Sequence, residues 1–273
     1  MAAMLCLGAA VAADTAAQRK KVESTMLVTG WIHVEPDGSV GRYVLDHAEQ
    51  VPLVVPKLLD KAVPTWKFEP VLIDGKPVRA RTQMSVRLVA KRTDDGSGFE
   101  VRISGGNFRI PDAEGTLRSR KKLRPPAFPL NAAHAGVSAN VYVVARVGRD
   151  GRVEDAIAEQ VNMTVLVSEE AQTRWSRILA KAALDASAKW TFEPPTVGDE
   201  ADDAFWLVRV PVSFFRPGQQ EPKYGEWEDY LPGPRQSAPW LGAIDTSLSA
   251  DAVADGSIQP LGTGPRLLTP IGG

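Results

Sequence analysis

At 273 residues, with 44% hydrophobic and 24% charged side chains, the chain has the composition of soluble folded material and room for two domains. A formal net charge of −1 removes the electrostatic case for nucleic acid or an anionic membrane as partner. One cysteine and three histidines leave little material for thiol or metal chemistry.

Residues 1–24 read as a signal-like segment with a short extension. Ala2 to Ala13 is small or apolar throughout and ends in "AVAA", which suits signal peptidase. It is shorter than the roughly 20 residues a membrane span takes. No Lys or Arg precedes it, so either the start lies upstream or the signal is a poor one; the exported look of residues 25–273 favours the first. Cys6 leaves with this segment, and Leu5 before it does not fit a lipobox. The mature chain is then free of thiols, which excludes disulfides, thiolate zinc sites and a cysteine nucleophile.

The next unit, 25–90, opens with "MLVTGWIHVEPDGSVGRYVLDH" (26–47). Val28, Gly30, Ile32 and Val34 alternate on one face of a strand. "PDGSV" is a hairpin turn in which Gly38 supplies the positive φ. His33, beside Ile32, faces solvent or a second unit. A short helix comes after the hairpin, with Pro56 in its opening turn, Leu59 and Val63 on its buried face, and Pro64 distorting or ending it before Trp66. "WKFEP" (66–70) comes next. A closing strand at 80–89 alternates strictly, with Thr82, Met84, Val86 and Leu88 set against Arg81, Gln83, Ser85 and Arg87.

Residues 91–122 read as a linker with a brief hairpin. Gly105-Gly106 is a weak turn signal, and Asp94 and Asp95 are adjacent loop carboxylates of the solvated kind. The basic run "SRKKLR" (119–124) reads as solvated linker rather than as a phosphate-binding patch.

The unit 123–217 repeats the first. "SANVYVVARVGRDGRVEDAIAEQ" (138–160) places Val141, Val143, Ala145 and Val147 on one strand face and turns at Gly151, with His134 in the connector before it. A helix capped by Ser168, with Glu169 and Glu170 at its positive end, carries an apolar stripe from Trp175 through Leu179 and Ala183 to Trp190. "WTFEP" (190–194) echoes the first pentapeptide. Asp202 and Asp203 are again loop carboxylates. The closing strand "FWLVRVPVSFF" (205–215) points Trp206, Val208, Val210, Val212 and Phe214 one way. Pro211 inside it removes a ladder donor, which places the strand at a sheet edge with that position facing outward. From 218 to 273 the chain is rich in Pro, Gly, Ser and Ala without periodicity, and it is predicted to be largely disordered, with local docking of Trp227, Tyr230 and Trp240 as the alternative.

The pentapeptide is therefore a structural corner. Trp66 and Trp190 close the helix stripe, Phe68 and Phe192 begin the return to the sheet, and Pro70 and Pro194 prevent the helix from continuing. The intervening Glu is either solvated or an acceptor for a turn amide. The predicted fold class is α+β, two tandem ββαβ modules, each a small antiparallel sheet with one helix on a face. No Ser-His-Asp set, metal spacing or phosphate loop occurs, so no enzyme, cofactor or metal is predicted.

"PPAFPLNAAHAGVSANVYVVARVGRDGRVEDAIA", "ALDASAKWTFEPP" and "FWLVRVPVSFF" together resemble the C-terminal domain of TonB, the periplasmic energy transducer of Gram-negative bacteria. The second unit carries every element, with about ten extra residues before the Trp motif; the first lacks the Pro-x-Phe-Pro opening. The resemblance implies periplasmic location and an exposed sheet edge to which an extended partner segment adds as a strand. It assigns that role to Phe205, Trp206, Leu207, Val208, Arg209, Val210 and Val212, with 81–89 as the first-unit counterpart. The implied partner is a protein, a TonB-dependent receptor or another component of that system; a homodimer is a further option. Two other readings stand beside this one: a transducer with a truncated start, and a purely architectural double module. The Pro-rich span and membrane helix of a transducer are not found, so energy transduction is not expected.

Overall fold

A computed structural model describes residues 17–73, 75–110, 115–198, 200–216, 218–241, 249–253 and 257–272. The signal-like run with Cys6 lies outside the described residues. No helix among the described residues is long and apolar enough to cross a membrane.

Two antiparallel sheets, each with its own hydrophobic core, organise the chain. In the first sheet the long strand β1 (Glu23–Val34) is central. It pairs with its hairpin partner β2 (Val40–Leu45) on one side. After α1 (Val54–Ala62), a small β3–β4 hairpin (Leu72–Ile73, Lys76–Pro77) leads to β5 (Ala80–Arg92) on the other side of β1. Strand β6 (Phe99–Arg109) then pairs along β5. β7 (Arg118–Ser119) and α2 (Leu130–His134) connect to the second sheet. There β8 (Ala139–Gly148) is central and pairs with β9 (Val153–Met163). α3 (Glu169–Ser187) and β10 (Phe192–Glu193, paired with β7) precede β11 (Phe205–Phe214), which returns beside β8. Hairpin, helix and closing strand thus recur in the same order with the same neighbours, an α+β arrangement of two sheet-and-helix units.

The predicted faces are the buried ones. Met26, Val28, Ile32 and Val34 of β1 lie against Met84, Val86 and Leu88 of β5, and both sets meet Val55 and Leu59 of α1. In the second unit Val141, Val143, Ala145 and Val147 meet Val208, Val210 and Val212 beneath Trp175, Leu179 and Ala183 of α3. Ser168 caps α3, its hydroxyl accepting from the amide of Ala171 at 3.2 Å. The extra residues of the second unit lengthen its helix to 19 residues, against 9 in α1.

The corner repeats bond for bond. The amide of Phe68 donates to Gly38 O at 2.8 Å, and that of Phe192 donates to Gly151 O at 2.8 Å. Both turn glycines have positive φ, 83° and 78°. A Cβ on Gly38 would lie 2.0 Å from Phe68 O, and one on Gly151 would lie 2.2 Å from Phe192 O. The glycines are required twice over, by backbone conformation and by the approach of the returning chain. Asp37 and Asp150 each accept from the amide two residues on, at 3.0 and 2.9 Å. Trp66, Phe68, Trp190 and Phe192 are all buried, and the indole N–H of each Trp reaches a carbonyl, Ile271 O at 3.1 Å and Arg124 O at 3.3 Å.

Two expectations are corrected. The predicted linker 91–122 contains β6, whose buried Ile103 and Phe108 complete the first core. Phe108 stands edge-on to Trp66 and Phe68 at 5.4 and 4.8 Å. Gly105-Gly106 is no turn: the pair sits inside β6 at a register shift, where Ile271 of the tail and Ser249 approach too closely for side chains. The described parts of the tail, predicted to be largely disordered, are instead laid across both units. β12 (Glu228–Tyr230) pairs with the start of β1, β13 (Gln259–Leu261) pairs with β11, and residues 266–271 bond to the first corner. Its apolar residues are too sparse for periodicity, yet Tyr230, Leu231, Leu241 and Val253 are buried where the sheets supply the remaining surface.

Candidate strand-docking site

The sequence-predicted residues all fall on β11, but the fold divides them. Trp206, Val208, Val210 and Val212 point into the core under α3 and are at most 7% exposed. Leu207 and Arg209 point to the opposite face, which the tail covers. Leu207 packs with Val144 and Leu241. Arg209 forms a bidentate ion pair with Glu159, Nε to Oε2 at 2.7 Å and Nη2 to Oε1 at 3.0 Å, both side chains under 5% exposed. Arg235 of the tail donates to the same carboxylate, Nε to Oε1 at 2.9 Å. Phe205 stands at the strand start, the most exposed of the set, with the Arg146 guanidinium 5.5 Å from its ring. The side chains are thus committed to the fold, and any binding by this strand falls to its backbone.

Backbone direction is set by the two prolines. β13 pairs with β11 through Leu207↔Leu261, Val208↔Pro260 and Arg209↔Gln259. Pro260 has no N–H, so the bonds are made at Leu207 and Arg209, whose amides and carbonyls face away from β8. By the two-residue period, Pro211 and Ser213 face the same way. Pro211 therefore sits where a missing donor leaves the β8 ladder intact. Beyond Arg209, β11 has no strand partner on that side among the described residues.

This unpaired stretch borders a groove of about 760 Å³. Val210, Pro211, Val212, Ser213 and Phe215 form one wall and Trp190 part of the floor, while the strap 119–126 forms the facing wall. The strap is fixed at the second corner. Arg120 N donates to Thr191 O at 3.1 Å, and Trp190 Nε1 donates to Arg124 O. Two interior oxygens nearby lack a partner, Ser213 Oγ and, across the β8 ladder, Asn140 Oδ1.

The first-unit counterpart is a correction. Residues 81–89 do not form an edge, because β6 pairs with β5 from Gln83 to Arg92. The strap is not recognisable as a wall of the site from the sequence. Its basic run has the composition of a solvated linker, and only its position beside the Pro-rich 125–126 hints that it borders the second unit.

Fold and border define a class: a sheet-and-helix protein with a partly open closing strand. Within the chain, 96 residues are 36% identical to Protein TonB of Xanthomonas campestris pv. campestris (strain B100), covering 35% of this chain and 37% of that protein. Protein TonB of a second strain of the same pathovar matches equally. The chain spans a little over a third of the length of these curated relatives, and about a third of it is TonB-like in sequence. No family model matches the sequence. No solved structure matches it.

Proposed function

We propose that this is a TonB-like protein of the periplasm, built of two tandem TonB-C-like modules, the second of which binds an extended partner segment by strand addition. The observation that carries the reading is the border of β11 beyond Arg209, which has no strand partner on that side among the described residues and lines a groove. A strand entering there finds the carbonyls of Pro211 and Ser213 and the Ser213 amide, at the usual spacing of about 4.8 Å. Because β13 holds Leu207 to Arg209, the docked segment is short, roughly four to six residues at about 3.3 Å each. The partner belongs to the TonB system, a TonB-dependent receptor or another component, and the role is binding without catalysis or cofactor.

Peptides selected from a random nine-residue library on the immobilised protein test this. They are expected to slow hydrogen exchange at the Ser213 amide and to lose binding to Ser213→Pro, which removes the outward donor. A proline at Val208 would be uninformative, since that amide faces β8. Selected peptides that leave Ser213 exchange unchanged refute the docking reading. Such a result favours the architectural reading, which the pairing of β6 and β13 with the two closing strands supports.

A further inference from the structure

The strap carries Arg120, Lys121, Lys122 and Arg124, all exposed and all lining the groove. None of the four is ion-paired among the described residues, while Glu221 is the one carboxylate in the groove lining. Four like charges crowded into five positions repel one another, yet the strap is not left free to spread. β7 pairs with β10, Ser119 Oγ donates to Lys121 O, and Arg124 O receives the Trp190 indole. A rigid, unneutralised cationic wall opposite an unpaired strand border is complementary to an anionic chain.

From this charge arrangement we infer that the segment accepted at β11 is acidic, an extended peptide bearing two or more carboxylates among apolar residues; the inference rests on the docking reading above. The side chains of an added strand alternate between faces. The groove offers such a strand the half-buried apolar side chains of Leu123, Phe215 and Ile258, and the strap lines the same groove, so its charges act on the strand with a strength that falls as salt rises. Rim charges of this kind act on association rate, salt dependence and partner choice.

The same library selection decides it, run in parallel on wild type and on Lys121→Glu/Lys122→Glu. Wild type is expected to enrich Asp and Glu in peptides that protect Ser213. The double variant is expected to lose those peptides by about tenfold or more and to enrich basic ones. Both substituted side chains are exposed, so an unchanged thermal midpoint is expected to show that the variant folds. Peptides that protect Ser213 without carboxylate enrichment, or that bind both proteins equally, overturn the acidic inference and leave strand docking standing. Failure to select any Ser213-protecting peptide overturns both. Charge-dependent binding of phosphatidylglycerol vesicles with no peptide selected would likewise overturn the inference, assigning the strap to a lipid surface.

Discussion

Glu159 is the point at which the second sheet and the tail are most tightly coupled, and replacing it by Gln isolates the charge. Arg209 is 4% exposed in its side chain and Glu159 3%, so the substitution leaves a guanidinium in the interior without an anion. Gln259 Oε1, 3.4 Å from Arg209 Nη1, is a neutral acceptor and offsets only part of this. Breaking a buried pair from one side costs about 3–5 kcal/mol. Arg235, 32% exposed, hydrates more readily and adds little. At about 2–4 °C per kcal/mol for domains of roughly 150–250 residues, the thermal midpoint should fall by about 6–20 °C. Urea unfolding followed by tryptophan fluorescence measures the free energy directly, with Trp206 on the same strand as Arg209. Replacing both partners, Glu159→Leu with Arg209→Met, should recover most of the loss, because two apolar side chains need no compensation. A loss under about 1 kcal/mol for Glu159→Gln would refute the reasoning. So would a double variant as unstable as the single one.

The corner argument predicts that Gly38→Ala and Gly151→Ala each destabilise by about 1–3 kcal/mol, from positive φ and collision with a carbonyl; unequal effects in urea titrations would show that the corners are not equivalent. Phe108→Ala should cost about 3–5 kcal/mol if β6 completes the first core, and a surface-like change would place 91–122 back among the linkers. The Asp37 carboxylate is held well below the usual carboxylate range, mainly by the Ser39 hydroxyl and amide and by Lys67. Its folded value lies below its unfolded one, so its stabilisation is present above about pH 4 and disappears as pH falls through the folded value. The gap in thermal midpoint between wild type and Asp37→Ala should accordingly narrow from pH 6 towards pH 2, and a constant gap would show that the charge contributes nothing.

Local periodicity carried much of the architecture into the sequence. Period two in Val28–Val34 and Val141–Val147, and the helical stripe from Trp175 to Ala183, reflect faces that must be apolar wherever each element docks. The echo of "WKFEP" and "WTFEP" announced two equal corners, since each Trp, Phe and Pro act within five residues, whereas the bonds from Phe68 to Gly38 and from Phe192 to Gly151 join segments distant in sequence. β6 was not legible, because Gly105 and Gly106 signal a turn unless Ile271, distant in sequence, is known to lie against them. The candidate border was legible as a strand carrying Pro211. How much of it is open was not, for that depends on β13 and the strap.

Hydrophobic alternation, helix caps and turn glycines are short-range requirements, and the amino-acid order alone fixed two hairpin–helix–strand units. Which borders stay unpaired is a long-range matter. A three-residue strand such as Gln259–Leu261 has no stability of its own and forms only against the amides of Leu207 and Arg209. Tertiary structure therefore decided that the first border is filled, that the described parts of the tail pack on the sheets, and that a cationic strap shares a groove with the stretch of β11 that has no strand partner on that side among the described residues.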